Sequence, residues 1–505
     1  MKNELKIGSI LSILSIIISS LVSIFYTPMY MKYLGTTDYG INSLVQSIMA
    51  YIGMLNLGLG SAMVRYTVRY RTEGKIEEEK SLNGMFLIIF TIIMIISIII
   101  GIYIYQVLPD LFSEKFTPNE LIKTRKVFVV TILGTALSFP VGVFSTNISS
   151  REKFLYQRLV SLIRLVLTPI LGAILMIKGF GLVAVVSTAI ILGIINNFLD
   201  VAYAFKIGMR IKFKNFDFEI LKDISKYSFY IFLNIIIDRI YWGTDRIIIG
   251  KFMGPLSVGI YSIASVFNSI YMGLSTAVSG VLFPRINKLV VEKKYDKLSD
   301  MFISIGRVQY ILLGLISSGF IVFGQEFIYL WLGEGYEDVY KIALWIMIPL
   351  TIPLIQNTGI AIVQARNKHQ FRSIVYFFIA ILNVITSIIL VKNYGAIGCA
   401  VATGISFTLG NIVIINIYYW KRVDIDIPLF WKNILKMSIP VVLTMAIGYL
   451  SNYFVKDYGV ITFILKGIIY VLAYGILMWL LGMNKEEKLE ILSPIRKILK
   501  RHNEK

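Results

Sequence analysis

Fourteen stretches of about twenty mostly apolar residues follow one another along this chain, separated by short polar links. A helix rises about 1.5 Å per residue, so each stretch is long enough to cross a hydrocarbon core about 30 Å thick. The pattern predicts membrane-spanning helices over residues 8–33, 40–64, 83–108, 123–147, 156–177, 181–205 and 226–250. In the second half it predicts them over 256–283, 301–324, 340–364, 371–391, 395–419, 433–454 and 460–482. The longest outer links, 109–122 and 325–339, are too short for a folded outer domain. The second of these, acidic and aromatic, reads as an interfacial helix. From Asn484 the tail spaces Leu, Ile and basic residues like a helix lying on the inner leaflet.

A mean hydropathy of +0.74 over 505 residues agrees with an integral membrane protein. Most of the 50 Lys and Arg residues gather in the two tails and in every second link, which places both termini in the cytoplasm. The net charge of +20 is therefore topological, and nucleic-acid binding is discarded because no basic domain exists. The N-terminus runs into a span without a small-residue cleavage site and reads as a first helix. One cysteine, Cys399, and two histidines, His369 and His502, leave no means for an internal disulfide, a zinc cluster or most histidine-based triads. No phosphate-cradling G-x-x-x-x-G-K-[ST] run is present, so the chain does not hydrolyse ATP by itself and is not read as an enzyme.

The halves repeat. YLGTTDYGINS from Tyr33 aligns with FMGPLSVGIYS from Phe252, pairing Gly35 with Gly254 and Gly40 with Gly259. Arg151 and Lys153 align with Arg366 and Lys368, and Gly181 with Gly395. Six spans per repeat is an even number, which predicts two like-oriented bundles related by an axis along the membrane normal. The expected organisation is an N-terminal bundle over 1–210, a second over 211–425, two further helices over 426–483 and a cytoplasmic amphipathic tail over 484–505. Transporters of this construction carry their substrate path between the halves.

Span seven concentrates the candidate chemistry. Asp238, Arg239, Asp245 and Arg246 lie inside it, and each charge near a bilayer centre costs about 2.5–3.5 kcal/mol on insertion scales. Asn234, Asp238, Trp242 and Asp245 share one helical stripe, with Arg239 and Arg246 about 100° round. That arrangement fits a water-lined path, or alternatively pairing with neighbouring helices. Arg164 and Arg307 lie a few turns inside their spans, where a long side chain can snorkel. Arg65, Arg69 and Arg285 stand at inner helix ends, where an anionic headgroup would enter. Ser12, Ser15, Ser19 and Ser23 give span one a small polar face, and Tyr26, Tyr30, Tyr33 and Tyr39 mark its outer mouth. Pro349 and Pro353, followed by Gln356 and Asn357, predict a kinked tenth span.

These motifs resemble those of the polysaccharide transporters of the MOP/MATE-like superfamily, above all Wzx-type flippases of O-antigen and capsule repeat units. The resemblance rests on YLGTTDYGI with the following LNLGLGSA, on SSREKF, and on QARNKHQF with the later NYGAIGCAVAT. It implies a MATE-like fold in a bacterial cytoplasmic membrane. It also implies alternating access that moves an undecaprenyl-pyrophosphate-linked oligosaccharide from the inner to the outer leaflet, driven by H⁺ or Na⁺ and without a bound cofactor. Membrane lipids and other polysaccharide-assembly membrane proteins would be its partners. Arg239, Arg246, Arg164 and Arg307 would then meet the pyrophosphate, and Asp238 or Asp245 the ion. A teichoic-acid or lipid II flippase, a cation/drug antiporter of the same superfamily, and a membrane polymerase or ligase are the alternatives. The last would need a large outer loop, which this chain lacks.

Overall fold

The computed structural model describes residues 2–214, 216–280, 283–292, 294–366, 368–456 and 459–489. Among these residues every regular element is helical. Contacts divide the chain into two units, one of residues Met1–Ile263 with Asn383–Cys399, the other of Ala264–Leu382 with Ala400–Lys505.

The first unit holds α1 (Lys2–Gly53), α2 (Leu59–Thr72), α3 (Ile76–Phe112), α4 (Pro118–Ser150), α5 (Phe154–Ile177), α6 (Leu182–Lys206) and α7 (Phe218–Met253). It ends in the first turns of α8 (Pro255–Gly280). The second unit continues with α9 (Phe283–Val291), α10 (Tyr295–Leu332), α11 (Glu337–Ile355), α12 (Asn357–Ala365) and α13 (His369–Phe407). It closes with α14 (Ile415–Arg422), α15 (Ile427–Phe454) and α16 (Val460–Leu477). The middle of α13, Asn383–Cys399, belongs to the first unit.

Among the described residues, eleven helical stretches are long and apolar enough to cross a membrane. Two of them, Leu14–Thr72 and Gln370–Arg422, are each long enough to cross twice and are bent at Gly35 and Gly395, whose φ values are +82° and +59°. Charged residues, Asp238, Arg239, Asp245 and Arg246 among them, lower the hydropathy of α7 below that of its neighbours. The architecture is thus consistent with fourteen crossings.

Helix ends follow local chemistry. Thr117 and Glu120 form a reciprocal capping box with Pro118 at the first position of α4. Asp217 accepts from the N–H groups of Glu219 and Ile220 at the start of α7, and Asp426 from that of Leu429 at the start of α15. Two details depart from the sequence reading, and a third places a kink that it expected. Span two is interrupted after Gly53, where Leu57 and Gly58 adopt left-handed conformations before α2 begins. The acidic aromatic segment after residue 324 is not a separate interfacial helix for its first half, because α10 runs on to Leu332. In the tenth span the expected kink falls at Gln356, between α11 and α12. There the Leu354 carbonyl freed by the bend accepts from Ser275 Oγ at 3.0 Å.

The sequence repeat is visible as repeated structure. Gly35 and Gly254 share one backbone conformation, φ +82° and ψ 165° against φ +87° and ψ 179°, which a side chain would strain. Five residues on, Gly40 and Gly259 admit reciprocal contacts. A Cβ on Gly40 would fall 1.8 Å from Pro255 O, and one on Gly259 would fall 2.3 Å from Thr36 O. Thr36 and Pro255 are themselves equivalent in the alignment, so exchanging the two segments returns the same contact.

A second repeated device lies about 215 residues apart. Just beyond α4, Arg151 donates through Nη1 to Ile207 O and through Nη2 to Gly208 O at 3.1 Å, closing the end of α6. Just beyond α12, Arg366 donates through Nη1 to Val423 O and through Nη2 to Asp424 Oδ2 at 3.0 Å, closing the end of α14. Next to each clamp two rings stack, Tyr156 on Tyr203 at 3.7 Å and Phe371 on Tyr418 at 4.4 Å. Carbonyls at a helix C-terminus have no partner within the helix, and a guanidinium with two forked donors satisfies two of them.

Candidate functional site

The charged helix α7 lies in the first unit, and its four charges have different surroundings. Asp245 is buried at 4% exposure. Its Oδ2 accepts from the Tyr261 hydroxyl of α8 at 2.5 Å, and its Oδ1 from Ser387 Oγ of α13 at 3.1 Å. Ser387 also lies 3.4 Å from Asn383 Oδ1, one helical turn back, and Cys399 is buried beside it with Sγ 3.9 Å from Ser387 O. Three segments distant in sequence thus enclose one carboxylate in oxygen-bearing side chains. Arg246 is half-buried and donates through Nε to Ser262 Oγ at 3.2 Å. Two turns toward the start of α7, Asp238 and Arg239 are exposed. The Tyr51 hydroxyl of α1 bonds to Thr244 and reaches Arg239 O at 3.2 Å, joining α1 to α7 at this level. Trp242 is at the margin of exposure and meets Tyr241 edge-on at 5.7 Å. The single stripe read from the sequence therefore divides along its length into an open upper part and an enclosed Asp245. The side chain of Asn234 lies outside the described residues.

Arg164 of α5 is exposed, and its guanidinium lies over Gly193 of α6, where a Cβ would come within 3.0 Å of Nη2. Arg65 and Arg69 are exposed on α2, with Arg69 bonded to Glu73 at 2.9 Å. The side chain of Arg285 lies outside the described residues. Of the serine face on α1, Ser15 and Ser23 bond back to the carbonyls of Leu11 and Ser19, while the side chain of Ser12 is likewise outside the described residues. Tyr26, Tyr30 and Tyr39 form an edge-to-face chain with centroids 5.9 and 5.2 Å apart, and Tyr33 points outward.

Arg307 is placed differently from the other arginines. It is buried at 4% exposure and clasps Glu487 at 2.6 and 2.9 Å, with further bonds to Asn433 Oδ1 and Gly482 O, all within the second unit. All three of its nitrogens are engaged in holding the segment that follows α16. Removal of one partner from a buried pair of this kind leaves an uncompensated charge.

The sequence reading missed a second buried pair. Lys466 of α16 meets Glu326 of α10 at 3.2 Å, with both side chains about 6% exposed. The pair borders a cavity of about 420 Å³ that also touches Tyr329, Tyr336, Tyr340 and Asn452. A lone lysine in the middle of the fourteenth apolar stretch was the available signal. In the first unit a cavity of about 450 Å³ opens beside the Arg151 clamp. Burial, and then the like charge of Arg71, draw the Arg151 guanidinium pKa below its ordinary value. Among the described residues, no group of three or more His, Cys, Asp or Glu side chains is arranged to hold a metal ion.

Residues 5–290 match the model of a family described as polysaccharide biosynthesis protein. The chain is 25% identical over 200 residues to the probable low-salt glycan biosynthesis flippase Agl15 of Haloferax volcanii. That alignment covers 39% of this chain and 42% of the relative, so the chain spans under half the length of this relative. Among solved structures, a lipid II flippase MurJ in an inward closed conformation superposes with a TM-score of 0.77 at 19% identity, covering 93% of this chain and 98% of that one. An inward-facing multidrug resistance MATE family transporter of the MOP superfamily gives a TM-score of 0.65 at 16% identity, over 84% and 99% of the two chains. At these identities the structural likeness establishes a MATE-like fold.

Proposed function

The chain belongs to the polysaccharide biosynthesis protein family, and from that premise we propose that it is a flippase for a lipid-linked oligosaccharide. In this reading it moves an undecaprenyl-pyrophosphate-linked repeat unit from the inner to the outer leaflet of a bacterial cytoplasmic membrane by alternating access. An ion gradient drives the cycle, and both termini face the cytoplasm. Membrane lipids and other membrane proteins of polysaccharide assembly are its partners.

The observation that carries this reading is the division of labour on α7. A carboxylate enclosed by Tyr261 and Ser387 is suited to take up H⁺ or Na⁺, because burial makes a charged carboxylate costly. Either cation removes that cost, so loading and release of Asp245 can bias a conformational equilibrium. Asp238, exposed two turns away, is the second acidic candidate. Arg239, Arg246 and Arg164 supply forked donors suited to a pyrophosphate, with Arg65 and Arg69 on α2 as entry contacts. Arg307 is left out of the substrate set because Glu487, Asn433 and Gly482 occupy it. A cation/drug antiporter would be served poorly by this number of arginines. The function proposed is transport, with no bond made or broken in the substrate.

The test uses the full chain in proteoliposomes with an imposed H⁺ or Na⁺ gradient, scoring the leaflet distribution of lipid-linked oligosaccharide. Asp245→Asn keeps the shape of the side chain and is expected to abolish the dependence on one of the two gradients. Unchanged flipping with unchanged gradient dependence would remove Asp245 from the coupling role. Failure of the wild-type chain to move any lipid-linked oligosaccharide in cells deleted for the gene would remove the transport reading itself.

A further inference from the structure

The Arg151 clamp opens onto the cavity of about 450 Å³, whose wall includes Arg71, Glu79, Lys80, Asn83, Arg151 and Arg210. Four cations face one carboxylate there. Glu79 is buried and already engaged, at 2.5 Å by Arg71 and at 3.4 Å by Arg151. Arg151 is further committed to Asn147 and to the carbonyls it clamps. Lys80 holds the exposed Glu77 at 2.6 Å, a pairing that solvent screens. Arg210 stands exposed at the rim, its carbonyl fixed by Asn83 Nδ2 at 3.0 Å. Two of the four cations therefore have charge to offer a ligand.

The repeat provides an internal control on whether the fold needs them. Ile207 and Val423 are the equivalent clamped residues, and two positions later Met209 and Ile425 are each buried at 2% exposure. The residues that follow these two buried side chains are Arg210 in the first unit and Asp426 in the second. Likewise Gly208 in one unit is Asp424 in the other. Where Arg151 faces Glu79, Arg366 lies over the Tyr295 ring at 4.4 Å. The clamp and the buried apolar residue are kept in both copies, while the charge around them inverts. Building the helix end thus requires the arginine and the apolar residue, and does not require Lys80 or Arg210.

We propose that this cavity binds a phosphate-bearing anion on the Lys/Arg-rich side of the membrane, either an anionic lipid headgroup or free phosphate. Its volume falls within the range of about 300–1,000 Å³ that small-molecule sites occupy. The guanidinium of Arg210 supplies forked donors and Lys80 a point charge, the two modes by which proteins hold phosphate. Charge bias assigns this side to the cytoplasm, where anionic lipids attract juxtamembrane cations. The site is separate from the α7 cluster and does not rest on the transport reading.

Two arms separate the sources. In the first, the full chain is placed in nanodiscs of phosphatidylcholine with phosphatidylglycerol, extracted, and its retained phosphatidylglycerol measured by native mass spectrometry. In the second, the detergent-solubilised chain is melted with and without inorganic phosphate at fixed ionic strength. The variant is Lys80→Gln with Arg210→Gln, which leaves the clamp intact, and the control is Lys421→Gln with Arg422→Gln on the second unit. Loss of lipid retention by about tenfold in the first variant and not in the control assigns a headgroup. Loss of the phosphate-dependent thermal shift in that variant alone assigns free phosphate. Wild-type behaviour of the variant in both arms, or equal loss in the control, overturns the proposal.

Discussion

Arg151 and Arg366 do one mechanical task in two settings of opposite charge. Each reaches back from the end of one helix to close the end of another, and each lies beside a stacked aromatic pair. Around Arg151 the side chains are Glu79, Arg71, Lys80 and Arg210. Arg366 meets Tyr295 and Asp424, and Asp426 stands in sequence where the first unit has Arg210. The lesson is that a repeat separates what a fold requires from what it tolerates. The arginine and its carbonyl partners recur, so they belong to the architecture. The charges around them do not recur, so their reason lies elsewhere.

The largest effect that would break this comparison is Arg151→Ala. It frees two carbonyls and removes one of the two guanidinium groups that hold Glu79, so a loss of about 3 kcal/mol is expected by thermal unfolding of the detergent-solubilised chain. Glu79→Gln comes next, at about 2 kcal/mol, because two guanidinium groups lose a buried anionic acceptor while the clamp to Ile207 and Gly208 stays in place. Arg366→Ala should cost less, about 1 kcal/mol by the same measurement, since Asp424 is exposed and can return to water. A larger loss than that of Arg151→Ala would show that the second clamp, not the first, bears the load. The smallest effect is expected from Arg210→Asp, which gives the first unit the residue type that the second carries. A stability change within about 0.5 kcal/mol would sharpen the distinction between architecture and charge.

Much of the fold was legible from periodicity alone, because in lipid a backbone must satisfy its own hydrogen bonds and only uninterrupted apolar helices do so. The repeat was legible too, and the aligned pairs Gly35 with Gly254 and Arg151 with Arg366 proved to share conformation and contacts. What those arginines do was not legible, since their carbonyl partners lie 56 and 57 residues away. The same distance in sequence concealed the surroundings of Asp245, whose neighbour Ser387 is 142 residues on. Arg307 read as a snorkelling cation because its partner Glu487, 180 residues later, sat in a tail expected on the membrane surface. Spacing reveals which residues share a helix face, and it is silent on which distant helix that face meets.

The crossing of Gly40 with Gly259 has a mechanical consequence. Main-chain oxygen faces a glycine on both sides, with the Thr36 methyl beside Gly259, so backbone sets most of the fit between the segments. Such a bearing tolerates swivelling about the point of touch and resists sliding, since any slip would bring a neighbouring side chain into a gap that admits only hydrogen. Whatever strain the rest of the first unit undergoes, this spot behaves as a pin.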